Sequence, residues 1–262
     1  MIVNMTNEEI LRIAMKQSAI DLNCKTEDFT ADKNIVVVSK ENPGARRYLK
    51  LPHICDLCSY GNNITASVDE KYIGLVSGYI NKFPAEHCFE TPNLHVLNDA
   101  LQKDGYRACF MSEYFLPDVN ALKELPCRYE LRVLEAKDFK ELYKKEWSNA
   151  LCEERKELDV LGVGAYDEGK LIGLAGCSAD CERMWQIGVD VLPEYRRQGI
   201  ASAVTSRLAV ETLCRGKVPF YCCAWSNVKS ARNAIRSGFR PAWVELNVKD
   251  AKSVDEMNRL RQ

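Results

Sequence analysis

The first third of the chain reads as short alternating elements. Thr6-Asn7-Glu8-Glu9 is a capping box, in which the Thr6 hydroxyl and the Glu9 carboxylate satisfy each other's backbone donors. The helix that follows places Ile10, Ile13, Ala14 and Ile20 near one face. Ile35 to Val38 is a continuous apolar run, which predicts a buried strand, and Asn42-Pro43-Gly44 is a turn. Cys55 to Ser59 and Ile64 to Val68 read as strands around a Tyr60-Gly61-Asn62-Asn63 turn. Helices are predicted over Glu70 to Asn81 and Leu94 to Lys103, and a strand over Tyr106 to Phe115.

Pro117 to Pro126 reads as a linker, and a second series begins beyond it. Tyr129 to Leu134 is a strand, Ala136 to Trp147 and Asn149 to Leu158 are two helices, and Val160 to Tyr166 and Lys170 to Cys177 form a hairpin about Asp167-Glu168-Gly169. A strand over Met184 to Val191, a helix over Ala201 to Cys214 and a strand over Val218 to Ala224 come next. A helix over Asn227 to Ser237, stopped by Gly238, and a strand over Phe239 to Val248 close the series. The pattern predicts an α/β protein with a mixed sheet in two domains, residues 1–126 and residues 127–262. The junctions Asp104-Gly105-Tyr106-Arg107 and Ser237-Gly238-Phe239-Arg240 echo one another. They fit two readings, a first half that is a diverged copy of the second, or a generic helix-to-strand turn.

The most informative stretch is Val189 to Ala201. It reads as a strand end, a basic loop and the first turn of a helix. Arg196-x-x-Gly199-x-Ala201 sets small residues where backbone must approach a ligand, and a loop of free N–H groups entering a helix N-terminus is an anion site. Arg196 and Arg197 add charge-assisted donors suited to phosphate.

This stretch resembles the pyrophosphate loop of the GCN5-related N-acetyltransferases (GNAT), whose pattern is R/Q-x-x-G-x-G/A after an apolar strand. The resemblance covers Tyr129 to Lys249. It implies a GNAT fold for the second half, preceded by an α/β domain that is either unrelated or a GNAT-like half, and a sheet that splays after its fourth strand. It implies acetyl-CoA as co-substrate, with the backbone of Val189 and Val191 along the pantetheine arm. Arg196, Arg197, Gln198, Gly199, Ile200, Ala201 and Ser202 would lie about the pyrophosphate, and Asn227 either contacts the arm or only caps its helix. Many members carry a Tyr four residues before the Gly-Phe pair as the acid for the departing thiolate; this chain has Ala234 there. A carboxylate, directly or through water, can take the proton of an amine acceptor, and strand parity selects Glu182 or Asp190. The expected activity is direct transfer of acetyl from acetyl-CoA to an amine of a small molecule or protein in a ternary complex. The alternative is a CoA-binding regulatory or interaction module without turnover.

Composition narrows the rest. With 46% hydrophobic and 28% charged residues the chain is of ordinary globular type, without an apolar run near the about 18 residues of a membrane span. A net charge of −1 gives no footprint for nucleic acid. No secretory signal is visible, so a cytoplasmic protein is expected, with a homodimer possible through sheet edges. The 12 cysteines are expected as free core thiols. Cys55-x-x-Cys58 and Cys177-x-x-x-Cys181, with His87 or His95, have the spacing of a zinc site, but no metal is expected because the pairs lack the usual flanks. Trp147, Trp185, Trp225 and Trp243 are read as core.

Overall fold

The computed structural model describes residues 5–260. In chain order the elements are α1 (Asn7–Leu22), β1 (Ile35–Val38), β2 (Cys55–Ser59), β3 (Thr65–Val68), α2 (Ile73–Ile80), α3 (Thr91–Gln102), β4 (Tyr106–Pro117), β5 (Glu130–Glu135), β6 (Asp159–Asp167), β7 (Lys170–Ser178), β8 (Met184–Val191), α4 (Ile200–Cys214), β9 (Val218–Ala224), α5 (Val228–Arg236), β10 (Phe239–Asp250) and α6 (Ala251–Leu260). The capping box forms as read: Glu9 accepts from the Thr6 N–H at 2.7 Å and Thr6 Oγ1 from the Glu9 N–H at 3.2 Å. Both helix-to-strand junctions turn on a left-handed glycine, Gly105 at φ +79° and Gly238 at φ +91°, a conformation that costs glycine nothing.

Two compact units result. One comprises the described part of Met1–Ala14 with Tyr114–Pro241, the other Met15–Glu113 with Ala242–Gln262 as far as it is described. The chain crosses between them inside α1, β4 and β10, so each unit is built from separate stretches of chain, whereas the sequence pattern suggested a single boundary at 126/127.

In the first unit the strands run in the order β4-β9-β8-β7-β6-β5. β5 to β8 are an antiparallel meander, and β9 joins β8 in parallel after the α4 crossover. Its core gathers Phe115, Leu161, Val163, Ile172, Ile187, Ile200, Val204, Leu208, Tyr221 and Phe239. Packing α4 on β7 requires glycine at 173, where a Cβ would sit 2.6 Å from Ile200 Cγ2.

The expected helices over 136–158 do not form. Short 3₁₀ turns at Ala136–Phe139, Lys145–Trp147 and Glu153–Leu158 stand in their place. The physical reason lies in tertiary contact. The stretch from Asn149 to Ala150 is laid over the sheet so closely that a Cβ on Gly188 would be 1.8 Å from the Asn149 carbonyl oxygen. One on Gly176 would be 2.1 Å from that of Ala150. A helix there would not reach both strands.

In the second unit the order is β1-β3-β2-β10-β4. β1 and β3 are parallel; β2 is antiparallel to both β3 and β10. One face carries Cys55, Leu57, Ala66, Val68, Leu246 and Val248 against α2 and α3. The strand over 106–117 is longer than expected, and α6 lies beyond the reach of the sequence pattern.

Candidate functional site

Strand β8 is the axis of the site. Its ladder with β9 runs from Met184↔Val218 to Ile187↔Tyr221 and stops, while β8 continues to Val191 and β9 to Ala224. On its other side β8 stays paired with β7 as far as Gly173↔Val191. This is the expected splay after the fourth strand of the meander. Val189 and Val191 lie on the stretch that β9 no longer accompanies.

The loop that follows is shaped by backbone conformation. Pro193–Tyr195 make one 3₁₀ turn, Arg197 takes φ +64°, and Gly199 at φ +81°, ψ 0° is the N-cap of α4. Among the described residues, the backbone N–H groups from Arg197 to Ser202 have no protein acceptor; the first helical bond is Ala203 N–H to the Gly199 carbonyl at 3.1 Å. A run of unpaired donors at the positive end of a 15-residue helix can receive an anion. Within the protein a Cβ on Gly199 would meet nothing nearer than 4.0 Å, so the constraint the fold itself sets at this position is the positive φ.

Side chains fix the loop from below. Tyr195 donates to Asp167 at 3.0 Å and meets Tyr129 edge to face at 5.8 Å. Tyr129 in turn donates to Gln198 Oε1 at 2.9 Å. Gln198 is thus a strut as well as an amide donor. Arg196 Nε donates to the Val191 carbonyl at 3.1 Å, which ties the loop back to the strand end. The Ser202 hydroxyl donates to the Gly199 carbonyl at 3.0 Å, and Ile200 is buried, so these two residues present amides and not side chains. Ala201 is half-buried. Arg236 was not singled out by the motif. It ends α5 with its guanidinium 4.0 Å from where a Cβ of residue 199 would be, and only the packing of α5 beside α4 brings it to the loop.

Asn227 is exposed and caps α5, accepting from Ser230 N–H at 3.2 Å. Trp225, expected in the core, is 55% exposed just past β9; Trp147 is buried. Ala234 is fully buried on α5, so a tyrosine there would have to displace packing.

The two carboxylates selected by parity part company. Glu182 is not on the strand; it is exposed in the turn ahead of β8, on the order of 20 Å from the strand's far end. Asp190 is on the strand at the splay, but it is engaged. Oδ2 accepts from Asn149 N–H at 2.8 Å and Ala150 N–H at 2.9 Å, and Oδ1 from Asn149 Nδ2 at 2.6 Å. The face of β8 that carries Gly188 and Asp190 is therefore the bed of the 149–150 segment. A carboxylate that the motif did not find is Asp159. Burial pushes its pKa up to about 6, against the pull of a hydrogen bond from the Cys152 N–H at 2.9 Å.

Among the described residues no group of three or more His, Cys, Asp or Glu is placed to hold a metal ion. Cys55 and Cys58 stand three apart on one strand and so face opposite sides of the sheet. No described helix is long and apolar enough to cross a membrane.

Comparison with known families gives a direct answer. The sequence pattern of the GNAT acetyltransferases matches residues 88–242, more than half of the chain. The chain belongs to the GNAT acetyltransferase family. The GNAT match begins well before the loop and takes in α3 and β4. A GNAT-family protein of Novosphingobium aromaticivorans is similar at 19% identity and a TM-score of 0.44, over 55% of this chain and 66% of that one. A GCN5-related N-acetyltransferase-like protein of Streptococcus suis has 19% identity and a TM-score of 0.44, over 61% and 69%. A tandem GNAT protein from the clavulanic acid biosynthesis pathway has 12% identity and a TM-score of 0.44, over 96% and 97%. Comparison with curated proteins returns no match.

Proposed function

We propose that the chain transfers the acetyl group of acetyl-CoA to an amine of a small molecule or protein, without a covalent enzyme intermediate. The observation that carries this reading is the run of unpaired amides from Arg197 to Ser202 at the N-terminus of α4, beside the splay of β8 from β9. A pyrophosphate is the anion that such a cradle fits, and the unaccompanied edge of β8 offers Val189 and Val191 backbone to an extended amide-bearing arm. Arg196, Arg197 and Arg236 supply positive charge, while Gln198, Gly199, Ile200, Ala201 and Ser202 supply backbone. Asn227 Nδ2 is a donor for the arm.

In the reaction the neutral amine nitrogen attacks the thioester carbonyl carbon. The C–N bond forms, the C–S bond breaks, the nitrogen loses a proton to a base and the sulfur leaves as thiolate. A β8 amide polarises the carbonyl. Asp190 serves as base only by giving up hydrogen bonds to the 149–150 segment, and Glu182 only through a relay, so much of the rate falls to positioning. The engaged Asp190, the distant Glu182 and the buried Ala234 favour the second reading, a CoA-binding regulatory or interaction module without turnover.

Titration calorimetry with acetyl-CoA, followed by thiol release against a panel of amines, tests both. Binding with release supports transfer. Binding without release from any amine, alkyl or peptidyl, supports the regulatory reading. Absence of binding overturns both.

A further inference from the structure

Two left-handed residues stand one apart in the loop before α4, and only one of them is glycine. Gly199 takes φ +81° without cost, but Arg197 takes φ +64° with a Cβ, a conformation that ordinary side chains avoid. A residue held there persists only where its surroundings fix it, and such residues gather at functional sites. Arg197 is exposed, so its own side chain packs against no core. The holding falls to its neighbours on either side.

Two struts bracket it. Before Arg197, the Tyr195 hydroxyl donates to Asp167 Oδ2 at 3.0 Å. After it, Gln198 Oε1 accepts from the Tyr129 hydroxyl at 2.9 Å, while Gln198 Nε2 donates back to the Glu194 carbonyl at 3.5 Å. The two phenol rings meet edge to face, with centroids 5.8 Å apart and planes at 76°, so the struts brace each other. Cations brace them from outside. The Arg128 guanidinium lies 4.5 Å from the Tyr129 ring centroid and donates to its hydroxyl, and the Lys170 ammonium lies 5.4 Å from the centroid of Tyr195. Lys170 also pairs with Glu194 at 3.2 Å.

Neither Asp167 nor Tyr129 belongs to the loop. Asp167 ends β6 at the hairpin to β7, and Tyr129 directly precedes β5. Both are half-buried, as is Tyr195. The rings of Tyr129 and Tyr195 pack on the core of the first unit, which fixes where their hydroxyls lie. The hydrogen bond to Asp167 raises the Tyr195 phenol above its ordinary pKa, so this hydroxyl stays a donor at any physiological pH. What the struts enclose is Arg196 and Arg197, both exposed. Bracing an exposed pair adds little to the core; what it fixes is the start of the run of amides without a protein acceptor.

We propose that Asp167 and Tyr129 are positioning residues for the acyl donor: acting through Tyr195 and Gln198, they hold Arg197 left-handed and keep the amides from Arg197 to Ser202 set for a diphosphate before it arrives. The inference rests on the reading of this loop as the seat of the acetyl-CoA pyrophosphate, and it stands with or without turnover. A site formed in advance loses no binding energy to ordering itself. Loosening a strut therefore weakens the hold on the diphosphate and leaves the rest of the donor's contacts as they are.

The test is calorimetry of the full chain with acetyl-CoA. Inorganic pyrophosphate and S-acetylpantetheine, which keeps the arm and lacks the diphosphate, are read by their displacement of CoA. Tyr195→Phe and Tyr129→Phe each delete one hydroxyl and keep the ring. Asp167→Asn keeps an acceptor for Tyr195 and is the conservative variant. Each phenylalanine variant is expected to weaken acetyl-CoA and pyrophosphate by a common factor of about threefold to tenfold, the worth of one hydrogen bond, and S-acetylpantetheine not at all. Asp167→Asn is expected to stay within about twofold of the natural chain. A merely structural role would lower the melting temperature and weaken all three ligands alike. Penalties that fall on S-acetylpantetheine as well, or unchanged affinity for acetyl-CoA in both phenylalanine variants, overturn the proposal. If the natural chain binds neither acetyl-CoA nor pyrophosphate, the reading of the loop falls first and the proposal with it.

Discussion

Asp190 holds Asn149 twice, once through the backbone N–H at 2.8 Å and once through the side-chain amide at 2.6 Å. With the Ala150 N–H added at 2.9 Å, one carboxylate clamps a whole turn to the end of β8. Asp190→Ala would strip the turn of every one of these acceptors. It is expected to cost about 2–3 kcal/mol in denaturant unfolding. Asp190→Asn should cost less, since the Asn149 amide can rotate to suit a new donor. If Asp190 is a positioning residue, Asp190→Asn keeps the pH profile of kcat/KM while lowering its height; loss of the acidic limb would instead make it the base.

The same turn explains two glycines. Gly176 and Gly188 lie opposite one another on β7 and β8, and a methyl on either would collide with the carbonyl of Ala150 or Asn149. Backbone cannot yield as a side-chain tip can, so Gly188→Ala is expected to cost about 3 kcal/mol or more, or to leave insoluble protein. Gly199→Ala meets no such obstacle and should cost only about 1 kcal/mol, for its positive φ. The two melts separate a packing glycine from a conformational one.

How far the sequence carried these points depended on the range of the interaction. The Thr6–Glu9 box and the Gly199 loop were legible because their partners lie within a few residues. The helices expected over 136–158 were lost to contacts with strands 26 or more residues further on. Glu182 and Asp190 looked equivalent by parity, yet one precedes the strand and the other is spoken for by Asn149. In the second unit the alternation Cys55-Asp56-Leu57-Cys58 marked a strand, but nothing local told that its polar side would be buried beneath Arg46 and Asp21.

Asp159 should leave a mark on the pH dependence of stability. Its folded pKa of about 6 lies above that of an exposed aspartate, so the folded state binds the proton more tightly. The stabilisation is complete below the unfolded pKa near ~4 and is lost as pH rises to the folded value. Asp159→Asn, which can still accept from the Cys152 N–H, should remove that slope. Melts between pH 4 and 7 are expected to be flatter in the variant than in the natural chain, with the variant a few degrees more stable at the upper end. Parallel curves would mean that Asp159 titrates alike folded and unfolded.

Arg236 offers the cleanest test of the anion cradle. It is exposed at the end of α5, takes no part in the core, and reaches the loop only through space. Arg236→Ala should therefore leave the melting temperature within about a degree, since surface changes away from packed features cost little. Its effect on acetyl-CoA should be electrostatic: affinity lower by about tenfold at low salt, the gap narrowing as salt screens the remaining charge. Dephospho and desulfo analogues locate the contact further. If Arg236 faces the pyrophosphate, the penalty persists when the ribose phosphate is absent. A penalty confined to ligands with the ribose phosphate would place the adenosine end of CoA at α5, and no penalty with any ligand would remove Arg236 from the site while leaving the amides of Arg197 to Ser202 to hold the anion alone.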